Sequence, residues 1–260
     1  MTKTLLICHH DARLDLEVLA PWLASFSQLS GIVVIREEGR SQLVARAKRE
    51  IKRSGLVGFA DVILFRAFYK AARSKQDTAW ETSVIEDFQK KYPASLMNDV
   101  PRLEVSSPNS EAARKFIQKH APDLMIARCK FLLKKSIFSV AKHGTFVMHP
   151  GHCPSYRNAH GCFWALAQGE PEKVAMTLLK IDEGIDTGPV YGYFTYAFDA
   201  KKESHIRIQA RVVLENLDSI KSTLLQIAQG TAKTIQTQGH SSAVWGQPRL
   251  ISYLLSRRHF

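Results

Sequence analysis

The sequence has little of what marks secreted, membrane-spanning or disulfide-stabilised proteins. It contains four cysteines in 260 residues, with no spacing that pairs them, so a disulfide framework is excluded. No uncharged apolar run approaches the roughly 20 residues that cross a bilayer. The first residues also lack the apolar core and cleavage site of a signal peptide. These absences predict a cytoplasmic protein without a transmembrane segment.

Acidic residues are few relative to basic ones. The chain has 36 Lys and Arg residues against 24 Asp and Glu, a formal net charge of +12. A set of cations crowds one segment: Arg36, Arg40, Arg46, Lys48, Arg49, Lys52, Arg53, Arg66, Lys70, Arg73 and Lys75. Such a segment attracts phosphate on a nucleotide, a nucleic acid or a membrane surface, although a solvated helix face has the same composition.

Short apolar runs alternate with amphipathic segments along most of the chain. The runs KTLLICHH, GIVVIRE, LMIARC, GTFVMHP, KVAMTLLKI and PVYGYFTYAF predict strands. The segments between several of them have helical spacing, including SQLVARAKREIKRSG, which Gly55 ends, and LVGFADVILFRAFYKAARSK. We expect the latter helix to pack on the body, with a position on a membrane surface as the alternative.

This alternation predicts an α/β fold with a doubly wound, mostly parallel sheet, a Rossmann-like architecture. We expect residues 1–200 to form the α/β catalytic domain. Residues 201–260, mainly one long amphipathic helix that ends at Gly230 and a polar tail, should pack on it as a helical extension. Ligands of such sheets bind beyond the carboxyl ends of the strands.

The stretch TFVMHPGHCPSYRN carries an apolar strand directly into a histidine and a rigid turn. It offers His149, His152 and His160 near Cys153 and Cys162. These are metal-ligand types, but their spacing matches no regular zinc pattern. We therefore expect no metal site, and place His149 at the lip of a cleft.

A second polar cluster, IDEGIDTGP, groups Asp182, Glu183 and Asp186 around two glycines. Its oxygen ligands alternate too little for a calcium loop, and a tight turn is the simplest interpretation. His149 at one strand end and Asp186 after a later strand can meet across the crevice. Such a pair is suited to polarising a carbonyl and moving a proton from an attacking amine.

In this order, HPG…PSYRN…WAL…G followed by MTLLKIDEGIDTGPV resembles the signature of the formyltransferases that use 10-formyltetrahydrofolate. That family includes glycinamide ribonucleotide, methionyl-tRNA and amino-sugar N-formyltransferases and formyltetrahydrofolate hydrolase. The upstream PDLMIARCKFLLKKSIF resembles the family's folate-lining segment, so the likeness covers roughly residues 121–191. The resemblance implies an enzyme of one-carbon metabolism, with His149 on the formyl oxygen and Asp186 tuning the imidazole and helping to take the amine proton.

The resemblance also implies which residues bind the two substrates. The pterin of 10-formyltetrahydrofolate would be held by the main chain of Arg128, Cys129, Lys130, Phe131, Leu132 and Leu133, together with the loop that contains Ile181, Asp182, Glu183 and Gly184. The acceptor would meet His10, His152, Tyr156, Arg157 and Asn158. Phosphate on the acceptor would suit the basic segment that ends at Lys75.

The chain departs from the family where an asparagine normally lies two residues before the histidine, since Val147 stands there. That asparagine donates a hydrogen bond to the formyl oxygen, and such a donor contributes about 3 kcal/mol in the transition state. His152, Asn158 and His10 are candidate replacements by residue type. Leu179, where relatives often carry a polar residue, makes the site more apolar than usual.

These features predict an N-formyltransferase that acts on a small, phosphorylated or nucleotide-linked amine. Transfer to methionyl-tRNA would suit the positive charge, but the residues after Tyr191 leave little room for the β-barrel that such enzymes append. Hydrolysis of formyltetrahydrofolate and a degenerate, non-catalytic folate-binding protein are further alternatives, the last supported by Val147. The acceptor and the oligomeric state are left open.

Overall fold

The structure, a computed structural model, describes residues 1–36 and 40–256. Its centre is a seven-stranded sheet in the order β3-β2-β1-β4-β5-β7-β8, and β6 and β9 form a separate pair. The strands are β1 (Lys3–His9), β2 (Gln28–Ile35), β3 (Arg102–Val105), β4 (Leu124–Arg128), β5 (Gly144–Pro150), β6 (Arg157–Asn158), β7 (Met176–Lys180), β8 (Val190–Phe194) and β9 (Val244–Trp245).

The sheet is parallel from β3 through β5 and antiparallel at one edge, where β7 pairs with β5 and with β8. Antiparallel β7 and β8 need only the short connection at residues 181–189, whereas parallel neighbours require a crossover that fits a helix. The predicted doubly wound, mostly parallel sheet is confirmed.

The helices lie between the strands and on both faces of the sheet. They are α1 (Ala20–Phe26), α2 (Arg40–Ala72), α3 (Ser74–Lys91), α4 (Glu111–His120), α5 (Lys135–Phe138), α6 (Gly161–Ala167), α7 (His205–Leu214), α8 (Leu217–Gln229) and α9 (Leu250–Ser256). A π-helical turn at Asp15–Leu19 leads into α1, and 3₁₀ turns lie at Ala94–Met97 and Pro171–Lys173. No helix in the described ranges is long and apolar enough to span a bilayer.

Two hydrophobic cores cover the two faces of the sheet. The larger joins Phe146 and Met148 of β5 to helices α1, α6, α7 and α8. The smaller joins the opposite side of β1, β2 and β4 to α4 and α5. Side chains alternate between faces along a strand, so Phe146 and Met148 point into the larger core while Val147 and His149 point to the other side.

The helix expected after residue 200 differs from the sequence-based expectation. The long helix expected up to Gly230 is divided, with α7 ending at Leu214 and α8 starting at Leu217. Between them, Asn216 donates its side-chain amide to the Val212 and Thr195 carbonyls, which interrupts the regular ladder. Both helices bury apolar side chains in the larger core.

In the basic segment, Gly55 has φ 71 and ψ 176, a conformation that only glycine adopts without strain, so α2 consists of two helical pieces that meet there. The segment's predicted helix therefore ends at Gly55, and a second begins immediately after it. Of the cations in that segment, the side chains of Arg40 and Arg46 lie outside the described residues.

Candidate active site

The end of β5 places His149 at the carboxyl edge of the sheet, 5% exposed and opposite Thr177 of β7. Its Nε2 donates to the Tyr156 carbonyl at 2.8 Å. Gly151 permits this contact, because a Cβ there would lie 2.6 Å from the Tyr156 carbonyl and 2.7 Å from His149 Nε2. The turn after β5 thus orients the imidazole through Nε2 and leaves Nδ1 for a second partner.

Asp186 approaches that second nitrogen from the β7–β8 connection. Its Oδ2 lies 3.5 Å from His149 Nδ1, and both side chains are mostly buried. The same oxygen accepts the Asn158 backbone N–H at 2.7 Å. Since a carbonyl can only accept, His149 Nε2 donates to Tyr156, and Nδ1 is the ring nitrogen that faces the Asp186 carboxylate.

The glycines of the β7–β8 connection force Asp186 into this position. A Cβ on Gly188 would lie 1.9 Å from the Lys180 carbonyl, and one on Gly184 would lie 2.0 Å from Thr187 Oγ1. Asp182 closes the turn, because its Oδ1 accepts the Gly184 N–H and the Thr187 hydroxyl. Asp186 itself has φ 50, a left-handed conformation that is strained for a residue with a Cβ and is held by the surrounding contacts.

The loop after β5 is tied to the Asp186 turn and to the C-terminal tail. Arg157 Nη1 donates to the Ile185 carbonyl at 3.1 Å, and Asn158 Nδ2 donates to the Trp245 carbonyl at 2.5 Å. Trp245 in turn stacks on Tyr156, whose carbonyl holds His149. The carboxyl edge at β5 is therefore braced from three separate parts of the chain.

The side of His149 that faces the smaller core has an apolar wall built from two loops. Cys129, Phe131 and Leu133 follow β4, and they pack in the same cluster as Val147 and Ile181. These are the two segments that, by the resemblance described above, would hold the pterin. An ion pair between Lys135 and Glu183, at 3.4 Å, also links them. We call this surface the donor side.

Two residues outside the sequence motifs hold the loop after β4. Asn109 donates its side-chain amide to the Leu132 carbonyl at 2.9 Å and accepts the Lys134 N–H at 2.8 Å. His9, at the end of β1, accepts the Lys130 N–H at its Nε2. The loop after β4 is therefore tied to the body by hydrogen bonds from two other parts of the chain.

On the opposite side of β5, a buried ion pair closes the sheet edge. Arg128 Nε donates to Asp15 at 3.0 Å, and Arg128 Nη1 donates to the Met148 carbonyl at 2.6 Å. The pair lines a cavity of about 210 Å³ together with Pro150 of β5 and Gln209 of α7. We call this surface the acceptor side.

A second cavity, of about 150 Å³, adjoins the first across Ile206, which lines both. Its walls come from the second half of α2, the start of α7 and the tail: Phe65, Arg66, Tyr69, His160, His205, Ile206, Gln247 and Pro248. Within the described ranges, no carboxylate pairs with Arg66, whose Nη2 donates to Gln247. The second cavity is thus aromatic with a cation at its edge.

Both imidazoles in the second cavity are uncharged. Burial, with smaller contributions from Lys130 and Arg66, lowers the pKa of His160 to about 4. Burial and His160 hold the pKa of His205 well below its ordinary value. Gln209 Nε2 lies 3.2 Å from His160 Nδ1 and joins the two cavities.

The predicted site residues fall into two groups. His149, Asp186, Tyr156, Arg157 and Asn158 come together at the end of β5. The others have different surroundings: His10 is exposed and its N–H bonds the Ile35 carbonyl on the β2 side, His152 stacks on Tyr193 at 4.0 Å, and Asp182 is used within its own turn.

The surroundings of Val147 are apolar. It packs against Cys153, Leu179 and Val190 in a small cluster beside β7. The Asn158 side-chain amide donates one hydrogen bond to the Trp245 carbonyl. Burial lowers the pKa of His152. Among the described residues, the three candidate replacement donors thus have other partners: His10 at Ile35, His152 at Tyr193 and Asn158 at Trp245.

Sequence reasoning did not find Asp15, Asn109 and Gln209. Each acts through a partner far away in the chain, so no local spacing reveals it. Asp15 carried one usable signal: it stands among the apolar residues Leu14, Leu16 and Val18, and a carboxylate that is buried with such neighbours requires a partner.

Comparison with known proteins identifies the family. The family model described as formyl transferase matches residues 32–221, so the chain belongs to the formyl transferase family, as its motifs predicted. The methionyl-tRNA formyltransferase of Chlorobium chlorochromatii is 26% identical over 174 residues, 67% of this chain and 53% of that protein. The chain thus spans about half the length of that relative. A methionyl-tRNA formyltransferase of Thermodesulfovibrio yellowstonii is 42% identical over 59 residues, 23% of this chain and 19% of that protein.

Solved structures share the fold. The phosphoribosylglycinamide formyltransferase from Anaplasma phagocytophilum has a TM-score of 0.55 at 14% identity, over 94% of this chain and 97% of that one. A sugar N-formyltransferase from a Shewanella species has a TM-score of 0.53 at 13% identity, over 94% of this chain and 77% of that one. At such identities the likeness establishes the architecture.

Proposed function

We propose that the protein transfers a formyl group from 10-formyltetrahydrofolate to the amine of a small acceptor that carries an anionic group. The observation that carries the proposal is the 3.5 Å pairing of His149 with Asp186 at the point where the donor and acceptor sides meet. A histidine and a carboxylate at the carboxyl end of a strand form an acid–base pair where ligands of such sheets bind.

The donor side fits a flat, largely apolar pterin. Phe131, Leu133 and Ile181 supply its apolar wall, and main-chain groups of the loop after β4 and of the Asp186 turn would meet the polar ring edge. When bound, 10-formyltetrahydrofolate supplies an activated formyl carbonyl. Arg128, Cys129, Lys130, Leu132, Asp182, Glu183 and Gly184 belong to the same two segments.

His149 and Asp186 would handle the proton of the attacking amine. The Tyr156 carbonyl keeps one proton on His149 Nε2, so Nδ1 can accept a proton from the amine as its bond to the formyl carbon forms. Asp186 stabilises the imidazolium that results. That imidazolium also lies where negative charge develops on the formyl oxygen, and it can return its proton to the nitrogen that leaves.

Cysteine does not compete for this role. Burial raises the pKa of the Cys129 thiol to about 11. Burial and the neighbouring Asp186 raise the pKa of Cys153 still further. Both thiols therefore stay protonated near neutral pH and are poor nucleophiles.

The two cavities of the acceptor side indicate the acceptor's shape. The first reaches Pro150, the residue after His149, and the second offers rings for stacking with Arg66 at its edge. An amine attached to a planar ring or apolar group with a phosphate would use all these features. This chemistry agrees with a nucleotide-linked amino sugar better than with a simple amine.

The test incubates the protein with 10-formyltetrahydrofolate and a panel of amines: amino-sugar nucleotides, sugar phosphates with an amine, unphosphorylated amino sugars and methionyl-tRNA. Release of tetrahydrofolate and mass spectrometry of the acceptor measure transfer. We expect formylation of an anionic small amine, abolished in the Asp186→Asn variant. Release without any amine would establish a hydrolase, formylation of the tRNA alone would overturn the small-acceptor assignment, and donor binding without turnover of any amine would overturn the catalytic one.

A further inference from the structure

The second half of α2 presents an apolar face to solvent. After Gly55, exposed apolar side chains recur every three or four residues: Leu56, Val57, Ala60, Ile63, Leu64, Ala67 and Ala71. Val57 is 84% exposed, Leu56 73% and Leu64 57%. We call these seven residues the α2 apolar face. Val62 and Phe65 lie on the opposite side of the helix and are buried, so this segment carries apolar residues on two sides, and among the described residues the α2 apolar face is the side open to solvent.

Helix α9 packs against α2 and carries exposed apolar side chains of its own. Tyr253 packs its ring on Phe65 and Phe68 of α2, with centroids 5.5 and 5.4 Å apart. On the other side of α9, Ile251, Leu254 and Leu255 are 61, 52 and 47% exposed. Exposed apolar side chains grouped in this way on two helices that contact each other are typical of an interaction site rather than of single surface residues.

Cations accompany the apolar residues. Lys52, Lys70 and Lys75 are exposed, and in the described part of the chain none of them pairs with a carboxylate. Both acidic residues between positions 48 and 75 have partners other than these lysines. Glu50 pairs with Arg53, and Asp61 accepts the Ile251 N–H at the start of α9.

We propose that the α2 apolar face and the adjoining side of α9 dock on the surface of an anionic lipid bilayer, with both helices lying in the plane of the headgroups. Apolar side chains would enter the boundary of the acyl region, and the flanking lysines would contact anionic headgroups. The proposal is independent of formyl transfer, because none of the seven residues of the face lines the candidate site.

The combination of features favours a bilayer over other partners. A second copy packed on this face by two-fold symmetry would bring two sets of unpaired cations together. A nucleic acid would neutralise the cations and leave the apolar residues in water. An anionic bilayer surface would bury the apolar side chains and also neutralise the lysines.

Docking in this way would bring one of the candidate cavities near the headgroups. The inner side of α2, through Phe65 and Tyr69, lines the second cavity of the acceptor side. Only the width of one helix, about 10 Å, separates that cavity from the α2 apolar face.

Sedimentation with lipid vesicles tests the proposal. The full chain is mixed with vesicles of phosphatidylcholine alone and of phosphatidylcholine with phosphatidylglycerol, at low and high salt. We expect binding to the anionic vesicles that weakens with salt. A Leu56→Glu/Val57→Glu double variant should reduce this binding by about tenfold or more. Leu96→Glu, an exposed apolar residue of the 3₁₀ turn before β3, is the matched control and should bind as the wild type does.

Lysine variants distinguish the electrostatic contribution to vesicle binding from the contribution of the apolar side chains. Lys52→Gln, Lys70→Gln and Lys75→Gln should each weaken binding to anionic vesicles about fivefold. Lys119→Gln and Lys142→Gln, exposed lysines on the other side of the sheet, should not. Equal thermal unfolding midpoints show that the variants are folded.

Three results would overturn the proposal. One is absence of wild-type binding to the anionic vesicles, and another is an equal loss of binding in the Leu96→Glu control. The third is a dimer, detected by light scattering, that Leu56→Glu/Val57→Glu dissociates while vesicle binding persists.

Discussion

The two sides of β5 differ in how they are built. The donor side consists of two short loops, each directly after a strand, and both belong to the continuous stretch of the chain that carries the family motifs. The acceptor side is assembled from the π-helical turn before α1, from α2, α7 and the tail, which are far apart in sequence. The two surfaces therefore differ in locality: the donor side comes from one continuous stretch of the chain, whereas the acceptor side depends on segments that are far apart in sequence.

The largest expected effect lies at the junction of the two sides. His149→Ala should lower the turnover of formyl transfer by about 10³-fold, because both the acid–base group and its charge at the formyl oxygen are lost. Binding of a folate analogue should survive. His143→Ala, next to the start of β5, serves as the control. Equal activity of the two variants would show that His149 takes no part in the reaction.

The buried ion pair of the acceptor side should contribute most to stability. Asp15→Asn leaves Arg128 without a buried counter-charge and should cost about 3 kcal/mol of unfolding free energy in urea titrations. Glu104→Gln, which breaks the exposed pair with Arg36, should leave stability essentially unchanged. Equal effects would show that the Asp15–Arg128 pair does not brace the sheet edge.

Val147→Asn tests whether the site is adapted to an apolar residue. The amide would enter a cluster formed by Leu179, Cys153 and Val190, and should cost about 2 kcal/mol of stability with no gain in turnover. Thermal unfolding and kcat measure the two quantities, with Val147→Thr as an intermediate control. A large gain in kcat would show instead that the natural site is impaired.

Substitutions on the two sides should also change different quantities, folate-analogue binding on the donor side and the acceptor KM on the acceptor side. Phe131→Ala should weaken binding of a folate analogue about tenfold through lost apolar contact and leave the acceptor KM unchanged. Gln209→Ala should raise the acceptor KM about fivefold, as expected for one lost hydrogen bond, without changing folate binding. If either variant changed both quantities, the assignment of separate surfaces would fail.

The smallest effect concerns pH. His160 has a folded-state pKa of about 4, below its ordinary value, so the unfolded chain binds the extra proton first as pH falls. The stability associated with the neutral imidazole is thus lost progressively from about pH 6.5 down to about pH 4. His160→Gln should flatten this part of a plot of unfolding midpoint against pH; an unchanged slope would show that His160 does not contribute.

Much of the donor side could be predicted from the sequence, because its parts are local. Strand periodicity located β4 and β5, and the glycines of DEGIDTGP predicted the turn that presents Asp186. The acceptor side could not be predicted, since Arg128 meets Asp15 across 113 positions of sequence and His160 meets Gln209 across 49. Such contacts depend on packing angles that no local pattern encodes.

The break between α7 and α8 has a similar cause. The apolar spacing continues across Glu215 and Asn216, so periodicity predicts one helix. The side chain of Asn216 then competes for backbone carbonyls, a tendency that a hydrophobic pattern does not register.

A crystal structure with a non-hydrolysable 10-formyltetrahydrofolate analogue tests the central claim most directly. We expect the pterin between residues 128–133 and 181–184, with the formyl oxygen within about 3 Å of His149 Nδ1. An analogue bound elsewhere, or one whose formyl group points away from His149 and Asp186, would contradict the account.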